Sequence, residues 1–266
     1  MVTVTAVMVH GIRTSATMWR AQREYLDERD VRTVALDLPG HGTRMSEDFT
    51  LAEAFATIDR AVREAAASGP VILVGHSMGG LLSVEYAGSD PSPPLAALVA
   101  ASCTAIPRGA ALATYRALVR SADVLPDRGM WAAEYVLDRT LPAQTRADFG
   151  AGGYALDTQH VALAALAGLD LATALSRIRV PTWFVNGQYD QLRVNERLFT
   201  RLVPHAELVV VPRTSHLVTA MRPEVFNAVL ALALATVTAA SPASPYTPAD
   251  STPDTRASDV DSADGR

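Results

Sequence analysis

The sequence predicts a doubly wound, mostly parallel α/β sheet with a helical cap insertion. Three observations carry this. Short β-branched apolar segments recur along the chain, longer helical patterns separate them, and one long interval holds helical patterns alone. Strands buried on both faces read as continuous apolar runs. Their regular alternation with helices is the pattern of a parallel sheet covered on both sides.

In chain order the strand candidates are Val4 to Val9, Thr33 to Leu38, Val71 to Val74, Leu95 to Ala101, Thr182 to Val185 and Leu208 to Val211. Helices are expected around Thr17 to Asp30, Leu51 to Ala67, Met78 to Gly88, Val194 to Val203 and Pro223 to Ala235. In the second of these, Leu51, Ala54, Phe55, Ile58, Ala61 and Val62 share one face at helical spacing. Pro223 suits a first turn, where its missing N–H is of no consequence. From Thr104 to about Arg179 only helical pieces occur, punctuated by Pro107, Pro126, Pro142 and the Gly150–Gly153 stretch. Open α/β sheets bind ligands beyond the C-terminal ends of their strands, so an insertion between two strands is expected to form a cap there. The alternative is extra helices packed on the sheet. The expected organisation is thus a core of residues 1–103 and 180–240, a helical cap of residues 104–179, and a tail of residues 241–266. That tail is Ser, Thr, Pro, Ala and Asp with almost no large apolar residue, a composition that cannot offset the entropy of ordering, and it is expected to be disordered.

Composition excludes several chemistries. All 23 basic residues are arginine. Without lysine there is no pyridoxal Schiff base, no phosphate-loop lysine and no Ser-Lys dyad. Cys103 is the only cysteine, which rules out an internal disulfide and a cysteine metal cluster, and its apolar neighbours suit a buried thiol. The net charge is -5, of which the tail contributes -3, and no basic patch points to nucleic acid. No histidine pair has metal-ligand spacing, so no metal is expected. No charged and apolar leader precedes the first strand. The longest apolar stretch, Val225 to Ala240, carries Asn227 and two threonines and is short for a membrane span. A buried helix, and a cytoplasmic chain without a membrane span, are the expectations.

The chemistry concentrates at three strand ends. Val71 to Val74 runs into Gly75-His-Ser-Met-Gly79 and then a helical pattern, which is G-x-S-x-G in a strand–turn–helix context. Glycines on both sides permit a tight turn that lifts the Ser77 hydroxyl clear of the backbone. A phosphate loop would want a lysine here. A serine hydroxyl needs a base to become a nucleophile. His216 follows the last strand candidate through a short loop and is the best placed of six histidines. His10 and His41 lie in glycine-containing loops and read as structural, His76 should point away from the hydroxyl, and His160 and His205 read as solvated or hydrogen-bonded. Asp190 directly follows another buried strand, 26 residues before His216. Alone it would be a turn aspartate; with Ser77 and His216 it supplies the group that orients the imidazole. After the first strand, His10-Gly-Ile-Arg13 offers backbone N–H groups, and those of Ile12 and Met78 are the candidates for an oxyanion hole. Arg13 either meets an anionic substrate group or faces solvent. Trp19 either packs the first helix on the sheet or lines the pocket. Trp131, Tyr135 and Leu217 are further pocket candidates, with Tyr115, Phe149 and Tyr154 also available in the cap.

These stretches together resemble the α/β-hydrolase fold serine hydrolases of the esterase, methylesterase and hydroxynitrile-lyase type. The matching segments are Val7 to Gly11 with Trp19, Leu36-Asp-Leu-Pro-Gly-His-Gly42, Gly75 to Gly80, Asn186 to Asp190, and Ser215-His216. The resemblance runs from about Thr3 to Ala235 and implies a cofactor-independent Ser77–His216–Asp190 triad. The lyases carry a lysine directly after the catalytic histidine, where this chain has Leu217, which argues against cyanohydrin cleavage. Serine rather than aspartate at position 77 argues against epoxide hydrolase and haloalkane dehalogenase chemistry. The expected function is hydrolysis of a carboxylic ester or lactone of a small, largely apolar substrate through an acyl-enzyme. Two alternatives stand beside it: the same triad used for C–C bond hydrolysis, perhydrolysis or a lyase step, and a ligand sensor built on the same fold. A small molecule is the expected partner; the oligomeric state is open.

Overall fold

The computed structural model describes residues 3–240, so the expected disorder of residues 241–266 lies outside the described residues. Six strands, β1 (Thr5–Val9), β2 (Arg32–Leu36), β3 (Val71–His76), β4 (Ala97–Ala101), β5 (Thr182–Gly187) and β6 (Glu207–Val211), form one sheet in the order β2-β1-β3-β4-β5-β6. Every pairing is parallel. The chain builds outward from β1 to β2, then returns to place β3 on the other side of β1. This reversal opens a crevice beyond the ends of β1 and β3, where open α/β sheets bind ligands.

Eleven α-helices are described: α1 (Arg20–Asp27), α2 (Leu51–Ala66), α3 (Met78–Ala87), α4 (Gly109–Ala122), α5 (Met130–Thr140), α6 (Ala143–Ala151), α7 (Gln159–Ala165), α8 (Leu171–Arg177), α9 (Glu196–Leu202), α10 (Val218–Met221) and α11 (Pro223–Ala240). Alternating strand residues feed two apolar layers. Val7, Leu73, Leu98 and Phe184 pack with α2, α3 and α9 on one face. Met8, Val74, Val99 and Trp183 pack on the other, with α11 residues such as Phe226 and Leu230. Burial of β1, β3, β4 and β5 on both faces is the physical origin of their unbroken apolar runs.

Boundaries moved where local geometry intervened. The first helix divides into a 3-10 turn over Ala16–Trp19, capped by Ser15, and α1. It stops at Asp27 because the turn through Asp30, at φ 56°, redirects the chain into β2. β3 reaches His76, two residues further than the apolar run, because the sheet continues to its parallel partner: His76 pairs with Ala101. α11 runs five residues beyond expectation, with the Thr236 and Thr238 hydroxyls donating to the carbonyls of Leu232 and Leu234. Its length and apolarity would suffice to cross a membrane. One face of it, however, packs against β4, β5, α1 and α10.

Between β4 and β5 every described element is a helix. α6 is fixed to the first turn by three side-chain bonds: Thr14 Oγ1 donates to Phe149 O (3.1 Å), Thr17 Oγ1 to Asp148 O (2.7 Å), and Arg20 pairs with Asp148 at 2.5 Å. α8 lies instead against α3, so close that a Cβ on Gly88 would collide with the Ala174 carbonyl. The tail end of the helical interval is thus a flank of the sheet.

Candidate active site

Ser77 joins β3 to α3 with φ 53° and ψ -117°, a conformation that L side chains avoid. The surrounding backbone imposes it. A Cβ on Gly75 would collide with Gly79 O and Ser83 Oγ, and one on Gly79 with Val9 O and His10 O. Gly75 therefore lets α3 settle on the end of β3, and Gly79 lets it settle on the end of β1. Ser77 N donates to Ala101 O (2.8 Å) and Ser77 O accepts from Leu81 N (3.0 Å), which locks the turn between β4 and the helix. Ser77 contributes no side-chain cap to α3, so its hydroxyl is available for other contacts.

That hydroxyl lies 2.9 Å from His216 Nε2, and His216 Nδ1 lies 3.0 Å from Asp190 Oδ1. A carboxylate only accepts, so Nδ1 carries the hydrogen, Nε2 is the free base, and Ser77 donates to it. The Asp190 side chain is fully enclosed. Burial by itself raises its pKa. The His216 imidazole, the Leu192 N–H (2.8 Å) and the Ser102 hydroxyl outweigh that, and hold the carboxyl below its usual range. His216 reaches Asp190 because two loops interlock: Gln188 N donates to Val211 O and Tyr189 N to Thr214 O, both at 2.9 Å. At their crossing only Gly187 fits, since a Cβ there would meet Ser215 O.

The remaining histidines divide as their loops dictate. His10 is wholly buried, accepts from Leu38 N (3.1 Å) and donates to Gly11 O (2.7 Å). His41 donates to Pro39 O (2.9 Å). His76 turns away from the hydroxyl and donates from Nε2 to His216 O (2.9 Å), bracing the loop that carries the base. His160 pairs with Asp123 (2.6 Å) and His205 donates to Val180 O (3.0 Å). The Cys103 thiol is buried, and burial pushes its pKa up.

Buried imidazoles make stability depend on pH, His76 and His10 most strongly, with His41 also lowered by burial. Burial, then the neighbouring His216, pushes His76 down to about 4; burial, then His41, pushes His10 down to about 3. Both stay neutral in the folded protein while the unfolded chain protonates them below their ordinary value of 6.5. Their contribution is therefore complete above that value and is lost as pH falls toward the folded values. At pH ~5 the unfolded state therefore holds more protons than the folded one, and stability falls as pH drops. Urea midpoints are expected to drop steeply between pH ~6.5 and ~4; a flat profile there would contradict buried neutral imidazoles.

Neither the Ile12 nor the Met78 N–H has an acceptor among the described residues. Met78 opens α3, where N–H groups lack intrahelical partners. Gly11 lets the Ile12 loop approach, since a Cβ there would lie 2.9 Å from His76 Nδ1 and 3.2 Å from Ser77 Cβ. Above Ser77 and His216 opens a cavity of about 490 Å³. Its floor is Gly11 to Thr14 and Leu217, and its walls come from α4, α5 and α6 through Tyr115, Met130, Ala133, Leu137 and Phe149, with Tyr154 beside them. A serine hydroxyl, an imidazole, a buried carboxylate and free N–H donors around one cavity are groups of the kind that acyl transfer requires.

Of the expected pocket residues, Arg13 and Leu217 line this cavity. Three others do not. Trp19 is fully buried in the layer beneath the sheet, 6.1 Å from the Phe226 ring, so of its two readings the packing one holds. Trp131 and Tyr135 are 61% and 57% exposed, and the Arg139 guanidinium stacks over Tyr135 at 4.2 Å. The reason is helical phase: α5 turns Met130, Ala133 and Leu137 inward, which rotates the 131/135 stripe to solvent. Sequence reasoning passed over Met130, Leu137 and Ser102. The first two carry a period that neighbouring helices alone could orient. Ser102 carries a signal only in its backbone, at φ 54° beside Asp190.

A family model described as "Alpha/beta hydrolase family" matches residues 6–229. The chain is 34% identical over 89 residues, 32% of each chain, to the (E)-2-((N-methylformamido)methylene)succinate hydrolase of Acinetobacter baylyi. It is 39% identical over 99 residues to the protein phosphatase methylesterase 1 of Bos taurus, covering 35% of this chain and 26% of that one. These matches span about a third and a quarter of the relatives' lengths. Among solved structures, a thermophilic esterase from Thermogutta terrifontis superposes with a TM-score of 0.69 at 24% identity, over 88% of this chain and 90% of the other, a likeness of fold.

Proposed function

This chain belongs to the alpha/beta hydrolase family, and from that premise we propose that it cleaves a carboxylic ester or lactone of a small, largely apolar substrate through an acyl-enzyme on Ser77. The observation that carries this is the unbroken chain from Ser77 Oγ through His216 to Asp190, at 2.9 and 3.0 Å, opening on a cavity beside two unengaged N–H groups.

In the first half-reaction Ser77 Oγ attacks the carbonyl carbon as its proton passes to His216 Nε2. The Ile12 and Met78 N–H groups receive the developing oxyanion, each such donor lowering the barrier by roughly 2–4 kcal/mol. Asp190 stabilises the imidazolium and holds its tautomer. His216 then protonates the leaving alcohol, whose C–O bond breaks. In the second half-reaction His216 takes a proton from water, the water oxygen attacks the acyl carbon, and the acid departs as the proton returns to Ser77. These steps draw only on the residues named. The apolar walls at Met130, Ala133, Leu137 and Phe149 suit a compact hydrocarbon portion. The methylesterase among the relatives supports the ester class.

A serine-directed fluorophosphonate tests this directly. Intact-mass and peptide mapping should find one adduct per chain, on Ser77, formed at a rate that a short ester slows by competition. A protein left unlabelled, or labelled elsewhere, would remove the basis of the proposal.

A further inference from the structure

Arg13 is out of character with the cavity it lines. Its neighbours there are apolar side chains, hydroxyls and imidazoles, and it is the one permanent charge among the described lining residues. Its backbone sits at φ 68°, in the left-handed region that suits glycine or asparagine and is costly for other residues. Local backbone geometry therefore gives no reason for arginine; its side chain has to supply one.

The guanidinium is held but not neutralised. Nε donates to Gln159 Oε1, a neutral acceptor from α7. Gln159 is buried, its amide donates onward to Asp123 Oδ1 (3.4 Å), and Asp123 pairs with His160 (2.6 Å). This relay aims the fork from behind. Nη1 and Nη2 have no partner among the described residues, and no carboxylate lies within ion-pair distance of Arg13. Arg20, Arg44, Arg146 and Arg193 by contrast each have one. A guanidinium offers parallel N–H donors that match a carboxylate, and a half-buried site strengthens that pairing over its value in water.

We propose that Arg13 forms an anion subsite and that the substrate is a carboxylate-bearing ester or lactone, its apolar spacer against α5 and its carboxylate on the Arg13 fork. This rests on the ester or lactone reading above and narrows it. Tyr115 borders the same subsite: it lines the cavity and lies within the electrostatic reach of Arg13.

The test compares mono-p-nitrophenyl glutarate with its methyl-capped, neutral diester. Wild type should favour the anionic ester in kcat/KM by about 30-fold or more, the scale of a charged hydrogen-bonded pair. Arg13→Gln should bring that ratio close to one, and Arg13→Lys should restore part of it, because a point charge lacks the fork. Arg13→Asn, which tolerates the left-handed backbone, gives the same reading should the glutamine variant fold poorly. A wild-type ratio near one, or a ratio unchanged by these substitutions, would overturn the subsite. If neither ester turns over, the hydrolytic reading fails separately. Calorimetry with 5-oxohexanoate and its methyl ester then decides the subsite alone: carboxylate preference lost in Arg13→Asn supports it, and equal binding overturns it.

Discussion

Ser77→Ala is expected to lower kcat for a short p-nitrophenyl ester by about 10⁴-fold or more, with the fold unchanged. The hydroxyl makes one side-chain contact in the described structure, the 2.9 Å bond to His216, and contributes no cap to α3. Its removal therefore leaves the turn, the cavity and the two N–H donors in place while deleting the attacking atom. Residual turnover would reflect binding and the oxyanion donors alone. A second variant separates chemistry from strain. Ser77→Gly is equally inactive, yet it relieves a conformation at φ 53° and ψ -117° that costs a residue with a Cβ roughly 1–3 kcal/mol, so it should melt higher than Ser77→Ala. Calorimetric melting of both proteins, alongside stopped-flow turnover, checks the pair. Turnover within tenfold of wild type in either would refute Ser77 as nucleophile.

Asp190→Asn should cost about 10⁴-fold, almost entirely in kcat. Oδ1 accepts from both Leu192 N (2.8 Å) and His216 Nδ1 (3.0 Å), so the nearly isosteric amide has two orientations. With its oxygen at that position both bonds persist and the imidazolium loses only its counter-charge. With its NH₂ there the Leu192 bond is lost and the imidazole moves its hydrogen to Nε2, which then cannot accept from Ser77. Asp190 does not line the cavity, so KM should barely move. Because the side chain is fully enclosed, water cannot substitute for the lost charge. A change confined to KM, or a loss under tenfold, would assign Asp190 a role in packing.

Much of this was legible before any coordinates, for reasons that lie in particular residues. Strands β1, β3, β4 and β5 announce themselves because both faces are buried, whereas β2, with no fully buried residue, needed its neighbours' rhythm to be recognised. Gly75, Gly79 and Ser77 are readable because a strand-to-helix turn this tight tolerates few residue types. Asp190 and His216 could be named because a parallel sheet delivers every strand's C-terminal end to the same edge.

Local sequence had no means of indicating the rest. Trp131 and Tyr135 have the size and chemistry of pocket residues, yet α5 is oriented by what α6 and the sheet edge demand of Met130, Ala133 and Leu137. The two readings of Arg13 differed only in surroundings: Gln159 arrives from 146 residues away, and no carboxylate arrives among the described residues. Ser102 carries no charge of its own, and it matters only beside Asp190.

Ser77 at its turn, with a base and an acid following later strands, was thus set by residue types and their order, since steric limits on the backbone and parallel topology act on every such chain alike. Which side chains surround that serine, and which charge stands among them, was settled by packing between distant segments, because a helix's rotation about its axis depends on what it is pressed against.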